Sequence, residues 1–258
     1  MNRLIVLILI FAVNNFSQID NSENWIDLSY TFDDQTVYWP TNETYKMKEV
    51  FKGINDKGFY YSSNKFCAEE HGGTHLDAPI HFAENRKTAD EIPLSSLIGN
   101  AIVVDVSERA LANRDYLVSV DDFLKWEEKH GEISDETIVL IRTGYGKFYP
   151  DKKKYLGTEL KGTEGVANLH FPGLDPKAAE WLVNERNIKA IGLDTPSIDY
   201  GQSTEFMAHR ILCEKEIPIF ENVANLDKLP GNKIYVIALP MKIKDGSGGP
   251  LRIIAKIL

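Results

Sequence analysis

The sequence predicts an α/β domain built on a mixed sheet with few helices. Three observations carry that expectation. Short, β-branched, nearly continuous apolar runs occur at 101–106, 137–141, 188–193 and 234–239, the pattern of strands buried on both faces. Capped helical patterns stand between several of them. The chain has 258 residues, 43% of them apolar and 26% charged, enough for one substantial core of an ordinary globular kind.

From the N-terminus, Arg3 gives a positive start, residues 4–13 are apolar, and Asn14, Asn15, Ser17 and Gln18 turn polar. This reads as a secretory signal peptide, too short to span a bilayer. The expected organisation is therefore a signal peptide over 1–17 and a single domain over 18–258, secreted to the extracellular space. Asn42-Glu43-Thr44 is a glycosylation sequon in keeping with export. A strand pattern follows at 25–30. Val37, Tyr38, Trp39 and Pro40 form an aromatic turn, and 43–66 is polar with scattered aromatics, read as strands or loops.

Residues 83–100 read as a polar loop with one short helical turn at 93–97. Ser119 is an N-cap with Asp121 and Asp122 in the first turn behind it, and Gly131 marks the stop. His130, at that helix's C-terminus, is a surface cap residue. Residues 145–170 read as a long polar loop that either covers a site or moves. Asp175 and Pro176 start a helix closed near Asn187. Asp194-Thr195-Pro196-Ser197-Ile198-Asp199 follows a strand directly, where ligand sites collect in α/β proteins. Ser203 caps a helix to about 215 that carries His209, and 217–220 is a strand with Glu221 at its end. Asp245-Gly246-Ser247-Gly248-Gly249-Pro250 is a glycine-rich turn into a last strand at 251–257. It lacks the residue order of a serine protease, and the chain has no Gly-x-Ser-x-Gly elbow.

The chemistry concentrates in His71-Gly72-Gly73-Thr74-His75-Leu76-Asp77-Ala78-Pro79-Ile80-His81-Phe82, which holds three of the six histidines. Two glycines and a proline argue against a helix. In an extended chain, side chains alternate, and positions 71, 75, 77 and 81 share one parity, so all four converge on one side. Imidazole and carboxylate without thiolate suit Zn or Mn, and Fe or Co less well. A zincin His-Glu-x-x-His helix is absent. Thr74 either orients a water or shapes the turn.

This motif resembles the signature of the metal-dependent cyclase-like hydrolases. Gly249-Pro250-Leu251-Arg252 resembles the family's closing segment, and Glu221-Asn222-x-x-Asn225-Leu226 its later metal-site segment. The resemblance implies a swivelling β/β/α fold and a homodimer or larger homo-oligomer. It implies a divalent metal, Zn or Mn, as one or two ions held by His71, His75, Asp77, His209 and Glu221. Five groups exceed what a single tetrahedral catalytic zinc needs. Either one ion has higher coordination, or two share Asp77, with His71 and His75 on one and His209 and Glu221 on the other. His81 then serves as the catalytic proton carrier, and Tyr38 and Trp39 line the substrate pocket or are core residues. The activity implied is metal-dependent hydrolysis of a non-peptide amide, arylformamidase-like, on a small molecule such as N-formylkynurenine. The alternatives are a cyclic amide such as isatin, or a secreted metal-bound binding protein without catalysis.

A formal net charge of −9 argues against nucleic acid as a partner, and no segment after the leader is apolar enough to place the chain in a membrane. Cys67 and Cys213 either form one disulfide in an exported protein or remain two thiols.

Overall fold

The computed structural model describes residues 24–258, so the expected signal peptide at 1–17 lies outside the described residues. The strands are β1 (Trp25–Asp27), β2 (Lys46–Ile54), β3 (Tyr60–Cys67), β4 (His75–Asp77), β5 (Ile98–Asp105), β6 (Leu117–Val118), β7 (Ile138–Arg142), β8 (Gly173–Leu174), β9 (Ala190–Leu193), β10 (Ile219–Glu221), β11 (Ile234–Pro240) and β12 (Gly248–Ile257). The helices are α1 (Leu94–Leu97), α2 (Ser107–Ala112), α3 (Val120–His130), α4 (Lys152–Tyr155), α5 (Gly162–Ala167), α6 (Pro176–Glu185) and α7 (Met207–Glu214). Only α3 and α6 reach ten residues.

Eight strands form one mixed sheet in the order β1-β12-β11-β5-β7-β9-β10-β4. The stretch β5-β7-β9-β10 is parallel, and the remaining pairs are antiparallel. β4 also pairs with β12, so Asp77 stands opposite Ile219 on one side and Gly248 on the other. That double pairing closes the sheet into a barrel. The expected mixed sheet with few helices is the architecture found.

The continuous apolar runs have a direct cause. On β5, Ala101 and Val103 point into a barrel core with Leu140, Phe220, Val236 and Ile253. Ile102 and Val104 point the other way, into a layer with Phe123, Leu182 and Leu212 of α3, α6 and α7. Neither face of these strands meets water, so polar alternation never appears. The helix signals also act as written. Ser119 and Asp122 form a reciprocal capping box, and Gly131 leaves α3 at φ 88°. Asp175 accepts from Lys177 N ahead of α6, with Pro176 as its first residue.

Two stretches differ from expectation, and a third takes one of the two forms expected of it. Residues 145–170 hold a 3₁₀ turn, α4 and α5, and bury Tyr145, Tyr155, Leu156 and Leu169 with Val37 and Phe171 in a third apolar cluster. Their apolar anchors follow no single period, so the stretch looks polar while being packed. Ser203 accepts from Phe206 N at 3.2 Å, but Phe206 adopts φ 50° and α7 begins only at Met207. The serine closes a turn before the helix. Residues 46–67 form a long antiparallel hairpin whose two faces are both largely exposed, with a bulge between Glu49 and Phe51. With no face buried, the pattern carries no period-2 signal.

Both cysteines are free, Cys67 exposed and Cys213 buried, so the disulfide alternative falls away. Burial pushes the Cys213 thiol up to about 12. A thiol reagent at pH 8 is expected to label one cysteine rapidly in the native protein and a second only on unfolding; fast labelling of both would contradict this packing. At the barrel seam, a Cβ on Gly248 would lie 2.4 Å from the Leu76 carbonyl and 2.7 Å from the His71 ring. Gly248→Ala is therefore expected to lose about 1–3 kcal/mol of stability in urea unfolding.

Candidate active site

β4 is three residues long and wholly buried. Its alternation puts His75 and Asp77 on one side and Leu76 in the barrel core. The antiparallel register with β10 sets Glu221 directly opposite His75. Ahead of β4, Gly73 takes φ 57°, and Gly72 lies so close under the Tyr38 ring that a Cβ would sit 2.1 Å from it. The two glycines thus bend the chain so that His71 returns towards Asp77. Beyond β4, Pro79–His81 form a 3₁₀ turn that carries His81 back to the same place. α7 supplies His209 from across the barrel end.

These side chains meet at hydrogen-bonding distances. His75 Nε2 is 3.1 Å from Asp77 Oδ1 and 3.4 Å from Glu221 Oε2. His209 Nε2 is 3.2 Å from Asp77 Oδ2 and 3.2 Å from Glu221 Oε1. His71 Nδ1 lies 2.6 Å from Asp77 Oδ1. His81 stacks on His71 with ring centroids 3.8 Å apart. The five expected ligands and the expected proton carrier His81 therefore share one cluster, and Asp77 is its hub.

The donor set fits a divalent metal ion. Donors bonded to one ion at ~2.0–2.2 Å lie roughly 3 Å from one another, which is the spacing of the four groups around Asp77 and Glu221. The imidazoles are also oriented from behind. His75 Nδ1–H donates to the Gly73 carbonyl at 2.9 Å, and His209 Nδ1–H to Asp199 at 2.7 Å. In the neutral ring each Nε2 is thereby left with its lone pair facing inward. Two groupings hinge on Asp77, one with His75 and Glu221 and one with His71 and His81. His209 belongs to neither grouping but reaches Asp77 and Glu221 at 3.2 Å each.

The electrostatics ask for positive charge at the centre. Burial opposes ionisation of Asp77, yet His75, His71 and His209 hold its carboxyl well below the usual range. Burial and then the charge of Asp77 push Glu221 up. Burial disfavours charge on His75 and His209, but the carboxylates outweigh it, bringing His75 to about 9 and His209 well above its ordinary value. His81 is the exception. Burial dominates there, and the neighbouring imidazoles add to it, lowering it to about 3, so it stays neutral at neutral pH.

A cavity of about 350 Å³ opens onto the cluster. Tyr38, Trp39, Phe82 and Phe206 give it an aromatic wall, and among the described residues no Lys or Arg lines it. Tyr38 Oη and Ser197 Oγ are buried without a hydrogen-bond partner. Thr74 does not face the cavity: its hydroxyl donates to the Asn222 carbonyl and accepts from Tyr30 N, both at 2.8 Å, which makes it a strut. His170 pairs with Asp115 at 2.9 Å and His130 is exposed, both outside the cavity lining. Sequence reasoning missed Phe82, Phe206 and the role of Asp199. Asp199 lies ten positions before His209 and also accepts from Ala208 N and His209 N. An acidic residue ahead of a helix that carries a ligand histidine was the available signal.

The cyclase family model matches residues 26–200, a span that contains His71, His75, Asp77 and His81. The chain belongs to the cyclase family. Isatin hydrolase of Roseibium aggregatum is 31% identical over 226 residues, covering 84% of this chain and 82% of that protein. Kynurenine formamidase of Bacillus thuringiensis is 27% identical over 238 residues, covering 91% of this chain and 98% of its own length. The structure of isatin hydrolase A from Ralstonia solanacearum superposes with a TM-score of 0.81 at 29% identity, over 91% of this chain and 92% of that one. The protein is a hydrolase of this family.

Asp199→Ala removes the carboxylate that orients His209. It is expected to weaken Zn²⁺ or Mn²⁺ binding ~10–100-fold, read by competition with a chromophoric chelator. Unchanged affinity would show that His209 needs no such support.

Proposed function

We propose that this protein hydrolyses a small aromatic amide with a divalent ion, Zn²⁺ or Mn²⁺, held by His75, Asp77, His209 and Glu221, with His71 beside them. The observation that carries the reading is the convergence of three inward-facing imidazoles and two carboxylates at the floor of an aromatic cavity. A divalent ion there supplies acidification of a water and polarisation of the amide carbonyl. The chain's own groups do the rest. Trp39, Phe82 and Phe206 hold the aromatic ring, and Tyr38 Oη and Ser197 Oγ offer unpaired donors to its polar edge. Burial raises Tyr38 to about 12, which keeps its hydroxyl a donor. His81, stacked on His71 at the cluster, accepts the proton of the attacking water and returns it to the leaving nitrogen.

Both relatives named above cleave amides, and both substrate types suit this site. N-formylkynurenine carries an amino-acid group with a carboxylate. Among the described residues no Lys or Arg lines the cavity, which favours a neutral bicyclic amide of the isatin type over it. The exposed hairpin β2–β3 presents Met47, Val50, Ile54, Tyr60 and Phe66 to solvent. An isolated two-stranded hairpin is marginal in water and an apolar patch of this kind marks an interface, which supports a homodimer. The leader pattern supports secretion.

The test is turnover of isatin and N-formylkynurenine by metal-loaded protein, with a chelated control. Metal-dependent turnover of isatin exceeding that of the formamide is the expected result, and metal-bound protein inert to both would defeat the hydrolase assignment of this cavity. His81→Ala is expected to keep its metal and lose ~10²–10⁴-fold in kcat. Loss of metal together with activity would assign His81 to the ion instead.

A further inference from the structure

The glycine-rich stretch 245–250 leads into β12 and has no part in the reaction above, yet its serine touches the cluster. Ser247 Oγ lies 2.8 Å from His71 Nε2 and 2.6 Å from Glu70 Oε2. The Ser247 backbone N–H donates to the same carboxylate oxygen at 3.0 Å. The flanking glycines let the turn lie flat against both partners, for a Cβ on Gly246 would come 2.9 Å from Glu70 Oε1 and one on Gly248 2.7 Å from His71 Cε1. The turn is pinned elsewhere too: Ala78 N and Ala89 N donate to the carbonyls of Ser247 and Gly246, each at 2.9 Å.

A hydroxyl has one proton to give. The Glu70 carboxylate can only accept, and 2.6 Å is the length of an O–H···O⁻ bond. Ser247 therefore donates to Glu70 and presents only lone pairs to His71. His71 Nε2 must then carry a proton, and in the neutral ring Nδ1 is left with its lone pair. That nitrogen is the one 2.6 Å from Asp77 Oδ1. Two acceptors so close in a buried place require a cation between or beside them. His75 and His209 reach the same arrangement with the opposite nitrogen, through the Gly73 carbonyl and Asp199.

We propose that Glu70 and Ser247 are positioning residues that fix His71 as its Nε2–H tautomer and so turn Nδ1 into a metal-facing donor. The inference rests on the metal-cluster reading above. It distinguishes two substitutions chemically. Ser247→Ala leaves Nε2 without a partner and the ring free to change tautomer. Glu70→Ala leaves the hydroxyl but frees its proton for Nε2, which drives the ring proton onto Nδ1, against the ion.

The test compares parent, Glu70→Ala, Ser247→Ala, Ser247→Thr and His71→Ala after metal removal. Each is titrated with Zn²⁺ against a chromophoric chelator, and the His71 ring nitrogens are read by long-range ¹H–¹⁵N NMR of the Zn²⁺-loaded protein. Thermal unfolding identifies any variant that has lost its fold, and Glu70→Ala, at a partly exposed position, carries the test if Ser247→Ala is one. The expected result is weaker Zn²⁺ binding by ~10–100-fold in Glu70→Ala and Ser247→Ala. Ser247→Thr, which keeps the hydroxyl, is expected to return to near the parental value, and the parent to show the His71 proton on Nε2. Parental affinity in Glu70→Ala and Ser247→Ala, with His71→Ala weakened, would overturn the positioning role and leave the cluster intact. Parental affinity in His71→Ala as well would remove His71 from the metal site altogether. A parental spectrum with the proton on Nδ1 would also overturn the proposal.

Discussion

A carboxylate is buried at the seam of the barrel, and the structure around it exists to make that tolerable. Asp77 is 1% exposed and stands within hydrogen-bonding reach of three imidazoles. An unpaired carboxylate at that depth would cost several kcal/mol. Two further carboxylates, Glu221 and Asp199, are buried nearby, so the cluster is rich in negative charge and has only histidines to balance it. The arrangement is coherent when a divalent cation sits among these groups. The hydrogen bonds behind each imidazole then read as parts of one device, because each keeps a ring proton away from the centre.

The aromatic wall depends on the same seam. Gly72 forms a bridge with Tyr38, which draws the aromatic turn 37–40 over the cluster. The 145–170 stretch packs Tyr145, Tyr155 and Leu156 behind Val37 and holds that turn from the other side. Trp39 meets Phe171 and Phe206 edge-on or tilted. The pocket is thus walled by residues whose positions are set by core packing, and a planar ring is the natural guest for such a wall.

Much of this was legible in the sequence, for reasons tied to local geometry. The parity of positions 71, 75, 77 and 81 pointed to their convergence, but alternation along a strand aligns only His75 and Asp77; a glycine bend returns His71 and a 3₁₀ turn returns His81. The buried strands β5 and β7 and the caps of α3 and α6 were legible because each signal is local. The pairing of Glu221 with His75 was not, since it depends on the register of two strands far apart in the chain. Nor was the link from Ser247 to His71, because it exists only once the barrel closes. The late start of α7 was hidden by Phe206, whose left-handed backbone no propensity scale anticipates.

The closure of the barrel by β4 also orders events in the life of the chain. His71 and Ser247 are 176 positions apart, and β4 has no partner on either edge until β10 and β12 have been made. Contacts of such sequence separation form late because their loop closure must be met first. The cluster around Asp77 is therefore complete only where β4 has both β10 and β12 beside it.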